Sequence, residues 1–505
     1  MMQKVKSKLL AVSSAIFAAI ISVIVLCVLF RDGGEFSVNQ NCPFLTIVFG
    51  IIITALILRF RKPIISRLEK VSVFHERIIV ACMMLLMVFM IVLVVWALRV
   101  HPSWDPGIIQ NNVSRMLNGE RPTGYFNSYP FQLAILVLLY VPVKVVRLFF
   151  GAVSINQVAL TLNALFIITT IVFTFLSIRK MLGRGYGLVA IILMPIIMLP
   201  LILYMPIFYT DTISAAAVAI SLYLIISIIK DNKHPILYSI LLGLVTFFGY
   251  RIKATMAIIV IAFGIVLFLT VKRSVLVKER IVPIVLFAVI ILVGNVVWGV
   301  LYGKYVDTER VIPMEHWVLM GMTGHGGFNE DGFGGEYRGA NTNKEIKQVA
   351  RELISKRLSE YGPVGYMEFL SRKISFTWGD GSYFVSEKLG RQPVNETEIG
   401  DYAYGDKKGL FLFLMNVIKI TSLLLMLVGA WQTLKENNDR LLTVMKIAFC
   451  GVFLFFCLWE TRSRYLLNYL PMFIAMDFYF ITKISLGFKY IDKKRAKMCT
   501  KKPRF

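Results

Sequence analysis

The feature of this sequence that most restricts its fold is a series of long apolar runs. An α-helix needs about 20 apolar residues to cross the hydrocarbon core of a bilayer, and the runs at 8–30 and 78–100 reach that length. Backbone groups in lipid must be hydrogen-bonded within the protein, so such runs predict helices. Spans are predicted at 8–30, 44–59, 78–100, 158–178, 185–203, 211–230, 236–250, 254–272, 282–302, 409–433, 443–460 and 465–482, and a further apolar run covers 131–150.

The composition indicates the same class of protein and excludes others. Hydrophobic residues make up 57% of the 505-residue chain and charged residues only 17%, which argues against a soluble multi-domain enzyme. The net charge of +25 would suggest nucleic acid in a soluble chain. Here the lysines and arginines lie mostly in short links between apolar runs, as the positive-inside rule expects. We therefore predict an all-α polytopic membrane protein that contacts membrane lipids and binds no nucleic acid.

The basic links also predict the topology. The link 59–77 carries six lysines and arginines and is expected in the cytoplasm, whereas 31–43 is nearly neutral and is expected outside. If 131–150 crosses the membrane, several later basic links fall outside, and if it lies at the interface, every one falls inside. Its interruption by Pro142 and two basic residues favours the interface, and an ordinary span is the alternative. About 12 spans (11–13), with both termini cytoplasmic, are predicted.

This topology divides the chain into three parts. Residues 1–302 form an N-terminal transmembrane module, whose first external loop covers 101–157. A second large external loop, 303–408, contains an amphipathic helical segment, "NKEIKQVARELISKRLSEYG". Residues 409–505 form a C-terminal transmembrane module with a basic cytoplasmic tail. Long loops are uncommon unless they carry a function, so a site is expected on the external face.

Two aspartates begin predicted helices on that face. Asp105 precedes Pro106, and Asp211 opens a span after "YMPIFYT". An aspartate N-cap followed by proline is a good helix start, so capping alone explains Asp105 as well as catalysis does. An N-cap with Thr212 and Ser214 nearby is likewise the alternative for Asp211. A carboxylate at the edge of the hydrocarbon is costly unless it is hydrated, paired or used, and two such acids favour a site. A third, Asp477, lies within the last predicted span, where a hydrogen bond or ion pair between helices is expected.

Two pairs of cations break the positive-inside pattern on the same face. Arginine can hold phosphate oxygens with two parallel hydrogen bonds, and lysine supplies a mobile point charge. A lipid-linked phosphate would need such charges, and snorkelling or ion pairing is the alternative for each residue. The residues are Arg251 and Lys253, then Arg462 and Arg464, which lie beside Glu460 and Tyr465.

The second external loop holds two histidines, His316 and His325, and acids at 330, 331 and 336. Their spacing matches no firm metal motif, so no metal ligands are predicted, although dependence on a divalent metal stays open. The six cysteines lie mostly inside apolar runs and show neither metal-binding nor disulfide spacing.

Taken together, these residues resemble the GT-C glycosyltransferases, which include protein O-mannosyltransferases and the aminoarabinose transferases of lipid A. The resemblance covers the layout of most of the chain, while the matching motifs are short. The sequence departs from the family in having "SYPFQ" where a double proline is frequent, and its late loop has no family signature, which leaves the acceptor open. The matching features are Asp105 in the first large external loop, the "YP" of Tyr129 and Pro130, Asp211, and the "RY" of Arg464 and Tyr465 near the last span.

This resemblance implies a function and roles for the residues. The donor would be a polyprenyl-phosphate sugar, and the acceptor an extracytoplasmic glycan, lipid or protein. Asp105 would be the general base that deprotonates the acceptor hydroxyl, and Asp211 would assist at the catalytic site as a second acidic group or orient the acceptor. A bacterial plasma membrane is the expected setting, because the chain is compact and has no long soluble domain. The resemblance further implies donor-phosphate binding by Arg251, Lys253, Arg462, Arg464 and Tyr465, with Tyr129, His316 and His325 as acceptor or loop candidates.

Two other functions stay open from the sequence. An O-antigen ligase or polymerase would place essential residues in the late external loop, where His316 and His325 lie. A lipid-linked oligosaccharide flippase or transporter would be expected to have repeated halves and broken helices at the midplane, and the long external loops argue against it.

Overall fold

The computed structural model of the chain consists of helices and the loops between them. Within the residues that it describes, no β-strand is formed, and an isolated antiparallel bridge joins Val100 to Pro393. The described residues are 2–231, 233–270, 282–328, 340–434 and 439–484, with side chains from residue 9 onward.

Several of the helices up to residue 305 begin at residues that suit a helix N-terminus. Pro43 and Pro235 occupy first helical positions, where the missing N–H costs nothing. Ser72 caps the third helix by accepting a hydrogen bond from the backbone N–H of His75. In chain order the helices are α1 Met2–Phe30, α2 Pro43–Glu69, α3 Val73–Ala97, α4 Trp104–Leu117, α5 Tyr125–Ser128, α6 Leu133–Phe150, α7 Ile155–Leu182, α8 Arg184–Ile197, α9 Leu199–Leu203, α10 Thr210–Lys230, α11 Pro235–Ile252, α12 Ala257–Thr270 and α13 Val282–Tyr305.

The later part of the chain contains the longest helix, which begins at the segment predicted to be amphipathic. Thr342 and Glu345 form a capping box at its start. Gly362, with φ +58°, and Pro363 interrupt it. The helices here are α14 Met314–Met320, α15 Asn343–Trp378, α16 Val385–Gly390, α17 Glu398–Ala403, α18 Lys408–Gln432, α19 Arg440–Leu458 and α20 Leu470–Lys483, and 3-10 segments lie at Pro130–Gln132, Ala254–Met256, Thr308–Arg310 and Ser463–Tyr469.

Ten of the described helical segments are long and apolar enough to cross a membrane, and Arg184–Ile197 and Ala254–Thr270 are shorter apolar helices. The protein is therefore an all-α polytopic membrane protein, as predicted. The candidate spans are Leu9–Phe30, Pro43–Glu69, Val73–Ala97, Pro130–Phe150, Ile155–Leu182, Thr210–Lys230, Pro235–Ile252, Val282–Tyr305, Lys408–Gln432 and Arg440–Leu458.

The helices differ from several of the predicted spans. In the run 131–150, α6 continues through Pro142, and together with the preceding 3-10 turn it is long enough to span, so the interfacial position stays a prediction. The predicted span 185–203 is split at Met198, between α8 and α9. The predicted span 465–482 starts as the 3-10 segment Ser463–Tyr469, and only its second part is α-helical. Both interruptions lie beside prolines, which cannot donate a helical hydrogen bond.

Helix α10 lies at the centre of the bundle. It packs against α7, α11, α20 and the 3-10 segment before α20, and most of its side chains are buried. Helix α13, by contrast, packs chiefly against α11, and its apolar side chains are largely exposed. An apolar helix without protein cover is stable where lipid covers it. The first turn of α10, which carries Asp211, is therefore held deep among other helices.

Two loop regions pack together at the end of the bundle that carries Asp105. Beside the Val100–Pro393 bridge, the N–H of His101 donates to the carbonyl of Gln392 at 2.9 Å. The N–H of Ile312 similarly donates to the carbonyl of Ser128 at 3.2 Å. These contacts join the predicted loops 101–157 and 303–408 into one layer over the helix ends.

Candidate functional site

Asp105 is oriented by two tyrosines and does not cap its helix. The helix begins two residues earlier than expected, at Trp104, with Ser103 in the N-cap position. The Asp105 carboxylate accepts one hydrogen bond from Tyr125 Oη and one from Tyr209 Oη, each at 2.7 Å. The capping explanation of Asp105 is therefore wrong, because its oxygens face tyrosine hydroxyls that come from other parts of the chain.

Asp211 also serves a purpose other than capping. It lies in the first turn of α10, and its Oδ1 is 2.6 Å from Nζ of Lys253. The two side chains are 3% and 15% exposed, respectively, so the pair is shielded from water. The Lys253 ammonium also lies 4.9 Å from the ring centroid of Tyr465. The backbone of Lys253 is extended, directly after the end of α11, and this conformation turns its side chain towards α10.

Arg464 lies in the buried 3-10 segment Ser463–Tyr469 and is 9% exposed. Its guanidinium lies 5.2 Å from the ring of Trp104, 5.8 Å from that of Tyr209 and 5.1 Å from that of Tyr465. Within the described structure, its Nε and Nη1 have no hydrogen-bond partner. Unsatisfied buried donors are costly and rare. A guanidinium in this state is suited to an anionic ligand.

Tyr209 joins the acids and the arginine into one cluster. Its hydroxyl bonds Asp105 and accepts from Gln132 Nε2, and its ring lies edge-to-face on Trp104 with centroids 5.1 Å apart. Asp211 follows two residues later on the chain. Burial and the Asp105 charge raise the pKa of Tyr209 well above its usual value, so its hydroxyl stays a donor. The name Asp105 cluster is used below for Trp104, Asp105, Tyr125, Tyr209, Asp211, Lys253, Lys388, Arg464 and Tyr465.

Lys388 belongs to this cluster, and sequence reasoning missed it. Its Nζ lies 4.2 Å from the ring centroid of Trp104 and 3.4 Å from Oε2 of Glu387. Burial and the nearby charge of Arg464 lower the pKa of Lys388 to about 6. Nothing in the local sequence "VSEKLGR" distinguishes this lysine from a surface cation. Only the packing of α16 against the start of α4 reveals its position.

The backbone around the cluster is strained. Of the four non-glycine residues with positive φ in the described structure, Trp104 belongs to the Asp105 cluster, Phe384 has its ring centroid 5.6 Å from Lys388 Nζ, and Tyr383 precedes Phe384. Left-handed conformations cost free energy in such residues and occur preferentially at functional sites. Asp380 stabilises the turn at 380–384, because its carboxylate accepts a hydrogen bond from the N–H of Phe384 at 2.8 Å. The same carboxylate accepts from Ser463 Oγ at 2.6 Å. The strained turn is thereby tied to the segment that carries Arg464.

Glu460 and Arg462 flank the cluster. Tyr465 Oη donates to Glu460 Oε1 at 2.9 Å, and burial raises the pKa of Glu460 above its usual range. The Arg462 guanidinium lies 4.7 Å from the ring of Phe384 and donates to the carbonyl of Phe328 at 3.3 Å. Arg462 is partly exposed, so it borders the buried cluster from the outside.

Arg251 lies away from the other residues that the sequence predicted to form the site. Its guanidinium donates to Asn295 on α13 and lies 5.4 Å from the ring of Trp298. It therefore points from α11 towards α13 at the edge of the bundle, while Lys253, two residues later, points inward. Residue 251 is helical and residue 253 is extended, so these two cations, which are close in the sequence, point in different directions.

The three acceptor or loop candidates, Tyr129, His316 and His325, also lie in different places. Tyr129 packs on Tyr125 with ring centroids 4.9 Å apart, and its ring also faces Trp317. His316, beside Trp317, is buried, and burial lowers its pKa to about 4, so it is neutral. His325 is instead partly exposed, and its Nε2 lies 3.0 Å from Asp32 Oδ2, a contact outside the Asp105 cluster.

In the described part of the chain, no group of three or more His, Cys, Asp or Glu residues could hold a metal ion. The acids at 330, 331 and 336 lie outside the described residues. The cysteines at 27, 42, 82, 450 and 457 are free thiols.

The all-helical fold and its candidate spans define a polytopic integral membrane protein. The chain belongs to the family described as "Conserved hypothetical integral membrane protein", which it matches over residues 6–484. No curated protein and no solved structure matches the chain.

Proposed function

We propose that this protein is a membrane glycosyltransferase of the GT-C type, which moves a sugar from a polyprenyl-phosphate donor to an acceptor hydroxyl. The observation that carries the proposal is that two donors of Arg464, Nε and Nη1, have no hydrogen-bond partner in the described structure. The Arg464 guanidinium lies beside the rings of Trp104 and Tyr209, and the hydroxyl of Tyr209 bonds the carboxylate of Asp105. A base and an anion-binding group side by side are what transfer from a phosphodiester requires.

Asp105 is the general base in this mechanism. A carboxylate has about four lone-pair sites, and the hydroxyls of Tyr125 and Tyr209 occupy one on each oxygen. The remaining sites can accept the proton of the acceptor hydroxyl while its oxygen attacks the anomeric carbon. The bond from that carbon to the phosphate oxygen breaks, and the electron pair leaves with the phosphate. Two fixed hydrogen bonds orient the carboxylate, which offsets the weak basicity of an aspartate.

Arg464 binds the departing phosphate. Its Nε and Nη1 donors can hold two phosphate oxygens and stabilise the charge that grows on them as the bond breaks. Lys253 is already neutralised by Asp211, so its role is to position the first turn of α10 beside Arg464. Besides Lys253, Lys388 supplies a second amine, which lies against the ring of Trp104.

The predicted topology sets the location of this reaction. With both termini in the cytoplasm, the Asp105 cluster lies at the external face of the membrane, where the acceptor is an extracytoplasmic glycan, lipid or protein. The positive-inside distribution of the links supports this orientation. A bacterial plasma membrane is the proposed setting.

The test is sugar transfer from a polyprenyl-phosphate donor by the purified variant Asp105→Asn. Loss of a general base lowers turnover by about 10²–10⁴-fold. The matched control is Asp401→Asn, an exposed acid on α17 that should keep wild-type turnover. Near-normal turnover of Asp105→Asn in a folded protein would refute the assignment of the base.

Arg464→Lys separates the binding of phosphate from that of the acceptor. Lysine keeps the charge but loses the two-pronged geometry, so the KM for the donor should rise while that for the acceptor stays unchanged. If transfer instead depends on His316 with Asp105 dispensable, an O-antigen ligase-like reaction replaces this proposal.

A further inference from the structure

A cavity of about 540 Å³ lies inside the transmembrane bundle, apart from the Asp105 cluster. Its walls come mainly from α2, α8, α18 and α20 and are largely apolar. Phe60 on α2 and Ile196 on α8 line it and are about half exposed, so the cavity opens sideways between these two helices. Ligand sites have volumes of about 300–1,000 Å³, so this cavity can hold a ligand that enters from the bilayer.

The polar side chains that line the cavity include Lys419, Ser422 and Asp477. Lys419 lies near the middle of α18, Ser422 lies one turn later, and Asp477 faces them from α20. Ser422 Oγ donates to Asp477 Oδ2 at 2.6 Å, which confirms the interhelical hydrogen bond predicted for this aspartate. Burying an ionisable side chain at this depth in a membrane protein costs free energy, and such residues often mark functional positions.

Lys419 and Asp477 do not meet directly in the described structure. The Lys419 ammonium lies over the rings of Tyr383 at 4.7 Å and Trp378 at 5.7 Å. The other carboxylate oxygen, Asp477 Oδ1, is buried without a hydrogen-bond partner. A hydrogen-bond donor, the Lys419 ammonium, and an unsatisfied acceptor, Asp477 Oδ1, therefore border one apolar cavity. A group that both accepts and donates a hydrogen bond would satisfy the two together.

The charges around the cavity indicate that this group is neutral. Lys419 is within electrostatic range of two carboxylates, Asp477 and Asp380. A phosphate would have to be desolvated near the middle of the bundle, beside these two acids. A hydroxyl brings no charge, accepts from the ammonium and donates to Asp477 Oδ1. Its chain can lie along the apolar residues of α2 and α8.

We infer that this cavity binds a single-chain lipid alcohol, with its hydroxyl between Lys419 and Asp477 and its hydrocarbon chain towards the opening between α2 and α8. A single chain with one polar end suits this cavity, because Arg61, another charged residue that lines it, already donates to the carbonyls of Ile481 and Ile484. The site is independent of the Asp105 cluster, so its test does not depend on glycosyl transfer.

The test uses full-length protein in phosphatidylcholine nanodiscs and a photoreactive 15-carbon isoprenoid alcohol. Crosslinks should fall on residues lining the cavity. The unlabelled alcohol should compete at concentrations at least tenfold lower than its methyl ether, which cannot donate to Asp477, or its monophosphate. Lys419→Met and Asp477→Asn should each remove this preference, while Val296→Thr, on the exposed face of α13, should keep it.

Three results would overturn the inference. Equal competition by the alcohol and the ether would make the cavity a crevice for any hydrocarbon chain. Stronger competition by the monophosphate would show an anionic head group. Crosslinks outside the cavity would place the lipid elsewhere. Competition on the wild-type protein distinguishes these outcomes even if a variant fails to fold.

Discussion

The buried pair of Asp211 and Lys253 gives the most direct test of the site geometry. The two groups are 2.6 Å apart, and their side chains are 3% and 15% exposed. Removing one partner of such a pair leaves an uncompensated buried charge and costs about 3–5 kcal/mol of the free energy of unfolding. The two single variants should differ, because Arg464 lies close to both groups. Asp211→Asn leaves two cations facing each other, whereas Lys253→Met leaves a carboxylate that Arg464 still compensates.

We therefore expect Asp211→Asn to be the more destabilising single change. The double variant, Asp211→Asn with Lys253→Met, should be less destabilised than Asp211→Asn alone, because neutral side chains of similar size often replace a buried pair at little cost. The coupling energy between the two positions should be at least about 2 kcal/mol. The measurement is equilibrium unfolding of the four purified proteins by SDS in mixed micelles.

Additivity would refute this reasoning. If the two single losses sum to the loss in the double variant within about 0.5 kcal/mol, water screens the pair and the first turn of α10 is not a buried part of the site. A larger loss in Lys253→Met than in Asp211→Asn would contradict the position of Arg464 beside the pair.

Two further predictions follow from the same region. The pKa of Lys388 near 6 lies below the usual lysine value of about 10.4, so between these pH values the unfolded chain binds more protons at this position and the free energy of unfolding rises with pH. Unfolding measured from pH 6 to 9 should show a smaller rise for Lys388→Met than for wild type, and equal slopes would contradict the lowered pKa. At Gly381 an added Cβ would lie 2.1 Å from the carbonyl oxygen of Met415, so Gly381→Ala should destabilise the protein by about 1–3 kcal/mol. Gly264→Ala, where a Cβ meets no atom within 4 Å, is the matched control in the same unfolding assay.

Much of the fold can be predicted from the sequence, because a membrane span is a local property of composition. A run of apolar residues in lipid has to be helical wherever it lies in the chain. The interruption at Met198 and the 3-10 start of the last helix were not predicted, although Pro200 and Pro471 lie beside them. A proline signals a break, but neighbouring helices decide whether the chain bends, as at 198, or stays continuous, as at Pro142.

The candidate site was predicted in part. Asp105, Asp211 and Arg464 stood out because charge at the edge of an apolar run is unusual in any membrane protein. Lys388 and Tyr125 did not stand out, since lysine and tyrosine in a polar loop carry no local signal. They become part of the site only because α16 and α5 fold over the start of α4 and place them against Trp104 and Asp105.

The sequence by itself determined the class of the protein and the end of the bundle where a site is expected, because hydropathy and charge act residue by residue. Only the tertiary structure decided which charges meet. Arg251 and Lys253 are two residues apart, yet one faces α13 and the other pairs with Asp211. That difference depends on where a helix ends and on which neighbours lie beyond it, and neither is written in the local sequence.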